Sequence, residues 1–190
     1  MVTGVRGAAG AGGRTGDGDA AATPATSIEG VRALVAGVPD PELPMLTIDD
    51  LGVLRDVRVC DATVVVSLTP TYSGCPALEM MRWEVRRRLA DAGFGDVRIA
   101  TVLDPPWSSD WITAEGRRKL AEAGIAPPGP APRGAGGPVP VTLSRRPPDV
   151  TCPRCGSRDT VETSAFGSTA CKSLRRCRAC AEPFEHVKEI

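Results

Sequence analysis

The sequence predicts an α+β fold: a small α-β-β-α-β-α sandwich, then a Pro/Gly-rich linker, then a small metal-bound β-ribbon. Three observations carry this expectation. From Ile28 to Gly124 the apolar residues switch between helical and strand spacing, residues 126–149 hold eight prolines with little apolar periodicity, and four of the last cysteines form two Cys-x-x-Cys pairs. The expected division is a disordered tail over 1–25, an α+β domain over 26–126, a linker over 127–149 and a ribbon over 150–190.

The tail is rich in Gly and Ala and cannot bury enough surface to offset its ordering entropy. Thr26-Ser27-Ile28-Glu29 has the spacing of a capping box. Ile28, Val31, Leu34, Val35 and Val38 then share one helical face, and Pro39 stops the helix. The prolines of Asp40-Pro41-Glu42-Leu43-Pro44 deny that stretch regular structure. Leu51, Val53, Val57 and Val59 share one parity and predict a half-buried strand. Cys60-Asp61-Ala62 reads as a turn, after which the β-branched run 63–69 pairs back.

Pro76 suits the first turn of a second helix, whose stripe is Leu78, Met81, Val85, Leu89 and Ala92 and whose end is Gly93. Val97, Ile99, Thr101 and Leu103 alternate as a third strand until Asp104-Pro105-Pro106-Trp107 breaks it. A last short helix spans about 113–124. The linker is expected to be semi-rigid and to share few contacts with either neighbour.

Lys+Arg 23 against Asp+Glu 23 leaves no net charge, which argues against nucleic acid or an acidic membrane as the main partner. Arg175, Arg176 and Arg178 offer only a local basic patch, so a nucleic-acid-binding ribbon is the least favoured function. No apolar run approaches the roughly 18 residues of a membrane helix, and the first residues lack a secretory signal. These features predict a soluble cytoplasmic protein. Seven cysteines, an odd and clustered set, fit a reducing compartment in which thiols hold metal. With one histidine, no phosphate-binding loop and no nucleophile–base–acid set, the chain does not read as a self-contained enzyme.

Cys152-Pro153-Arg154-Cys155 and Cys177-Arg178-Ala179-Cys180 each put two thiolates on a tight turn. Two such turns on neighbouring hairpins complete a tetrahedral four-sulfur shell, and the 21 residues between them suffice for a pair of short strands. Phe166 and Phe184 are this module's only aromatics. Metal binding would therefore supply its missing folding free energy, on the order of 10 kcal/mol. The closed shell suits zinc, but rubredoxin-like iron uses the same ligands, and an electron-transfer component is the alternative function. Cys171 is a fifth thiol, read either as a small buried residue or as a spare ligand that would turn the site toward an iron–sulfur cluster. His186 reads as a surface residue.

Cys75 stands where a loop enters a helix, and free amides with the helix dipole favour its thiolate. Asp40 and Glu42, on another irregular loop, are candidates to approach it and make an open metal site. The plainer reading is a small buried cysteine and an Asp-Pro turn.

A family resemblance bears on that choice. Asp40-Pro41-Glu42-Leu43-Pro44, Leu51-Gly52-Val53, Thr69 through Gly74-Cys75-Pro76, and Trp107 resemble the metal–sulfur cluster biosynthetic family that includes iron–sulfur assembly proteins. In that family the cysteine at the position of Cys75 is the functionally sensitive one, which implies cluster or iron transfer at Cys75 with Asp40 and Glu42 beside it. Asp104 through Ile112, Gly124-Ile125-Ala126-Pro127-Pro128 and Phe166-Gly167-Ser168-Thr169-Ala170-Cys171-Lys172 resemble, more closely, the D subunits of the phenylacetyl-CoA oxygenase (epoxidase) system of aerobic phenylacetate degradation. That resemblance implies an accessory component that helps assemble or mature the oxygenase. Its partners would be the oxygenase and the iron–sulfur reductase of that system, and it would not perform the epoxidation itself.

Overall fold

The computed structural model describes residues 27–72, 74–132 and 149–190. The element order up to residue 124 is that of the expected sandwich: α1 (Ile28–Ala36), β1 (Leu54–Cys60), β2 (Thr63–Leu68), α2 (Ala77–Asp91), β3 (Asp96–Thr101) and α3 (Ala114–Glu122). β1 and β2 form an antiparallel hairpin, and α2 carries the chain across to place β3 parallel to β2, giving the sheet order β1-β2-β3. The expected tail over 1–25, Thr26 and most of the linker lie outside the described residues.

Local chemistry accounts for the element ends. Ser27 caps α1 by accepting from the Gly30 amide at 3.1 Å. Glu29 is therefore one position short of the reciprocal place in a capping box, and it serves instead as an acid in the first turn, where the helix dipole favours it. Thr113 caps α3 in the same way, accepting from the Gly116 amide at 2.9 Å.

The first strand departs from its expected parity. β1 begins only at Leu54, and a bulge between Leu54 and Asp56 leaves Leu54 and Val57 both buried while Val59 is exposed. Leu51 and Val53 are buried too, but from a turn that precedes the strand. Gly52 in that turn has φ +66, and a Cβ there would lie 2.6 Å from the Trp111 Cβ, so only glycine lets the turn close on Trp111. The turn in turn presents the Leu51 carbonyl to the buried Trp107 indole, whose Nε1 donates at 2.9 Å. Val31 and Val35 of α1, Val64 and Val66 of β2, and Met81, Val85 and Leu89 of α2 build the main core with these residues.

Beyond the linker stand three antiparallel strands, ordered β4-β5-β6: the expected pair between the two cysteine turns, β4 (Thr160–Ser164) and β5 (Lys172–Cys177), and after the second turn β6 (Pro183–Val187). Their own core is small, formed by Val150, Cys152, Cys177 and Phe184 with Ala126 of the preceding chain. Phe166 contributes nothing to it, being 66% exposed with the Lys188 ammonium 4.5 Å from its ring. Two basic residues point inward instead. Lys172 pairs with Glu185 at 2.9 Å, and Arg175 lies 3.8 Å from Glu162. Arg178 lies 3.7 Å from Asp159, so the expected local basic patch is largely spent on internal pairs.

The ribbon is not independent of the sandwich. The Ala126 amide donates to the Glu185 carbonyl at 2.8 Å, and the Val187 amide donates to the Ala126 carbonyl at 3.0 Å. The Ser109 amide reaches the Ile190 carbonyl oxygen at 2.9 Å, and the Gly129 amide reaches Glu189 Oε1 at the same distance. Val187 itself is buried in the sandwich core. The expectation of few shared contacts fails here, because Ala126, at the end of the sandwich, bridges to His186 of β6 and Gly129 of the linker bonds to Glu189. His186, expected at the surface, is 1% exposed beneath that pairing, with Nδ1 3.4 Å from Ser173 Oγ and Nε2 3.3 Å from Glu189.

Candidate metal centres

The Cys152–Cys155 turn lies just ahead of β4, and the Cys177–Cys180 turn joins β5 to β6. Two hairpin-like turns at one end of the ribbon thus face each other, and their four Sγ atoms lie within 4.8 Å of one another. Cys152 and Cys180 are 3.8 Å apart, and Cys155 and Cys177 are 3.6 Å apart. A tetrahedron of sulfurs about 2.3 Å from a zinc ion has edges of about 3.8 Å, so the set fits a single tetrahedral ion. The Cys180 amide, 3.5 Å from the Cys177 sulfur, leads the interactions that hold Cys177 down at about 7. Cys155 receives the Ser157 amide, but the neighbouring thiols outweigh it and push Cys155 up to about 12. Four sulfurs this close cannot all ionise without a cation between them. The arrangement is able to coordinate a metal ion, and its sulfur geometry is common to zinc and iron.

Cys171 is not part of that shell. It stands ahead of β5, its sulfur 3.1 Å from the Thr169 hydroxyl and its carbonyl accepting from the Lys188 amide at 2.9 Å.

Cys75 precedes α2, as the sequence places it. Pro76 offers no side-chain cap, the Leu78 amide donates to the Cys75 carbonyl at 3.3 Å, and the amides of Ala77 and Leu78 act to lower the Cys75 thiol. The amides thus act in the direction the sequence argument gives, yet its conclusion about the thiol is reversed. Burial pushes the Cys75 thiol up, the two amides and the Thr71 hydroxyl only partly offset that, and the charge of Asp40 pushes it further. Asp40 is itself 5% exposed, and burial raises its carboxyl although Oδ1 accepts the amides of Glu42 at 2.7 Å and Leu43 at 2.8 Å.

Asp40, Glu42 and Cys75 line one cavity of about 30 Å³ with Leu51, Tyr72 and Trp107. The ribbon closes one side of the cavity through Thr169, Cys171 and Val187. Sequence reasoning placed Asp40 and Glu42 near Cys75 but did not foresee that the ribbon closes this pocket. The signal was present in the run Gly167 to Lys172, a polar stretch with a thiol that the four-sulfur shell does not need.

Comparison with known proteins follows the same division. A family model described as iron-sulfur cluster assembly protein matches residues 28–102, and one described as PaaD zinc beta ribbon domain matches residues 136–188. Over 158 residues the chain is 46% identical to an Escherichia coli protein named as the putative D subunit of 1,2-phenylacetyl-CoA epoxidase, covering 83% of this chain and 90% of that relative. It is 31% identical over 94 residues to an "Fe-S protein maturation auxiliary factor" of Porphyromonas gingivalis, covering 48% of this chain and 89% of the relative. It is 33% identical over 84 residues to the "Fe-S protein maturation auxiliary factor YitW" of Bacillus subtilis, covering 43% of this chain and 81% of the relative.

Proposed function

Since this chain belongs to the family of PaaD-type epoxidase D subunits, we propose that it is a non-catalytic accessory protein for iron or iron–sulfur maturation of a phenylacetyl-CoA oxygenase. Its clients are the oxygenase and the iron–sulfur reductase of that system. The single observation that carries the reading is the cavity in which Cys75, Asp40 and Glu42 meet on the part of the chain related to the maturation factors. A half-buried thiol beside a buried carboxylate is poorly suited to stand as a free thiolate, but it suits a thiol that ionises when a metal arrives. Iron is thus cargo at this pocket rather than a resident group.

The four-cysteine shell plays a different part. Cys152, Cys155, Cys177 and Cys180 hold zinc, which contributes folding free energy to a ribbon with a small core. Purified protein should then be colourless with one zinc per chain, whereas visible thiolate–iron absorption would favour the rubredoxin-like electron carrier. Among the described residues no helix is long and apolar enough to cross a membrane.

The decisive experiment is to produce the oxygenase alongside Cys75→Ala. This change removes little volume from a half-buried site, so stability should change by about 1 kcal/mol or less. The oxygenase should be poor in iron while the variant remains folded and zinc-loaded. A fully iron-loaded, active oxygenase would remove Cys75 from the maturation step.

A further inference from the structure

Two thiols from distant parts of the chain reach one cavity: Cys75 from the entry to α2, and Cys171 from the loop ahead of β5. Cys171 is not in the four-sulfur shell, and its backbone is held by the Lys188 amide on its carbonyl. Tyr72 lines the same cavity.

The charge of the cavity wall is one-sided. Its titratable lining residues are Asp40, Glu42, Tyr72, Cys75 and Cys171, every one an acid, with no Lys, Arg or His among the lining residues. The cation that acts on Asp40 is Lys172, and its ammonium is committed to Glu185 at 2.9 Å. Ionising either thiol in this wall adds negative charge beside a buried carboxylate, which is costly unless a cation enters. A volume of about 30 Å³ admits an ion, or a water or two, rather than an organic ligand. Two soft sulfur donors select a thiophilic cation over magnesium or calcium.

We propose that Cys171 is the second thiolate ligand of the cargo site, so that a ferrous ion is held between Cys75 of the sandwich and Cys171 of the ribbon, with Asp40 as the oxygen donor. The proposal deepens the maturation reading and rests on it. Binding releases the thiol protons to solvent and leaves the iron ferrous, so no oxidant enters. Among the described residues only the four ribbon cysteines have all their donor atoms within 4.8 Å of one another. The pocket's donors are therefore a looser set that must draw in on the ion, as fits a site that gives its metal up. The ribbon's contribution is then a ligand, not only a docking surface, and it explains why the ribbon packs over Cys75.

The test uses the full, zinc-loaded chain under anaerobic conditions with ferrous ion as the probe. Iron affinity is read by competition with a chelator, and zinc content and melting are followed in parallel. Cys75→Ser and Cys171→Ser should each weaken ferrous binding by at least ~10-fold with zinc retained, since even partners that only orient a ligand typically cost 10–100-fold when removed. If Cys171→Ser binds iron like the unaltered chain while Cys75→Ser does not, Cys171 is no ligand, although the maturation reading stands. If neither change weakens binding, or the unaltered chain takes up no iron, the cargo site itself falls. Should Cys171→Ser lose its fold, the unaltered chain still decides. Ferrous ion should slow alkylation of Cys75 and Cys171 together and leave the exposed Cys60 unchanged, and an unprotected Cys171 overturns the proposal. Visible sulfide-to-iron bands on adding iron with sulfide, and no uptake of iron alone, would replace the single ion by a cluster and overturn it as stated.

Discussion

The protein carries cysteines in two settings that differ in closure. At the tip of the ribbon four sulfurs face one another at 3.6 and 3.8 Å across paired turns, with Cys152 and Cys177 buried. At the pocket, two half-buried thiols and a carboxylate line a small cavity walled by separate parts of the chain. The first arrangement satisfies an ion completely and has no position left for chemistry, which is how a structural metal is held. The second leaves its donors partly apart, so whatever it binds is bound less completely and can leave. On the proposed reading, one chain separates a metal that maintains the fold from a metal that is handled.

The largest expected effect breaks the first setting. Cys177→Ser removes one of four ligands from a closed shell, and the metal's contribution is on the order of 10 kcal/mol. The variant should lose its metal, and β4, β5 and β6 should give no protected amides in hydrogen exchange. Retention of those protected amides without the metal would mean that the ribbon folds without the shell.

An intermediate effect tests how far the two settings depend on each other. Truncation before Val150 removes Val187 from the sandwich core and Cys171 from the pocket wall. Uncovering the apolar surface under one such side chain costs about 1.5–3 kcal/mol. The sandwich should remain folded but unfold at lower urea by that amount, and Cys75 should become more open to alkylation. Unchanged urea stability would restore the picture of two independent units.

The smallest effect sharpens the comparison at the seam. Burial pushes the Glu189 carboxyl up, but the His186 ring and the Gly129 amide outweigh burial and hold it at about 2 against an ordinary 4.5. Because the folded value lies below the unfolded one, Glu189 stabilises fully above about 4.5, and that contribution is lost as pH falls through about 2. The unaltered chain should therefore unfold at higher urea than Glu189→Gln at neutral pH, and the difference should close on acidification over that window. A difference that persists at the acid end would assign the effect of Glu189 to packing instead.

Periodicity made most of the sandwich legible. The stripe of α2 could be read directly, with Met81, Val85 and Leu89 all buried, because a 3.6-residue repeat is a property of one helix alone. β1 was harder. Its bulge changes parity within the strand, and a bulge is set by how β1 meets β2, which no single run of residues encodes. The same limit applied to Cys75. The amides that lower its thiol follow from its place before a helix, but the burial that outweighs them comes from Leu51, Trp107 and the ribbon closing around it.

The sequence by itself determined the four-cysteine centre, since both pairs lie on tight turns whose spacing already brings the sulfurs of each pair together. It also determined the order of helices and strands in the sandwich, which follows from local repeats and caps. Only the tertiary structure decided what the ribbon does for the rest of the chain. Ala126 pairs with β6, Val187 enters the sandwich core, and Cys171 comes to the cavity of Cys75. These contacts join residues far apart in sequence, and shape and charge complementarity between two folded surfaces, which have no periodic trace in the chain, decide them.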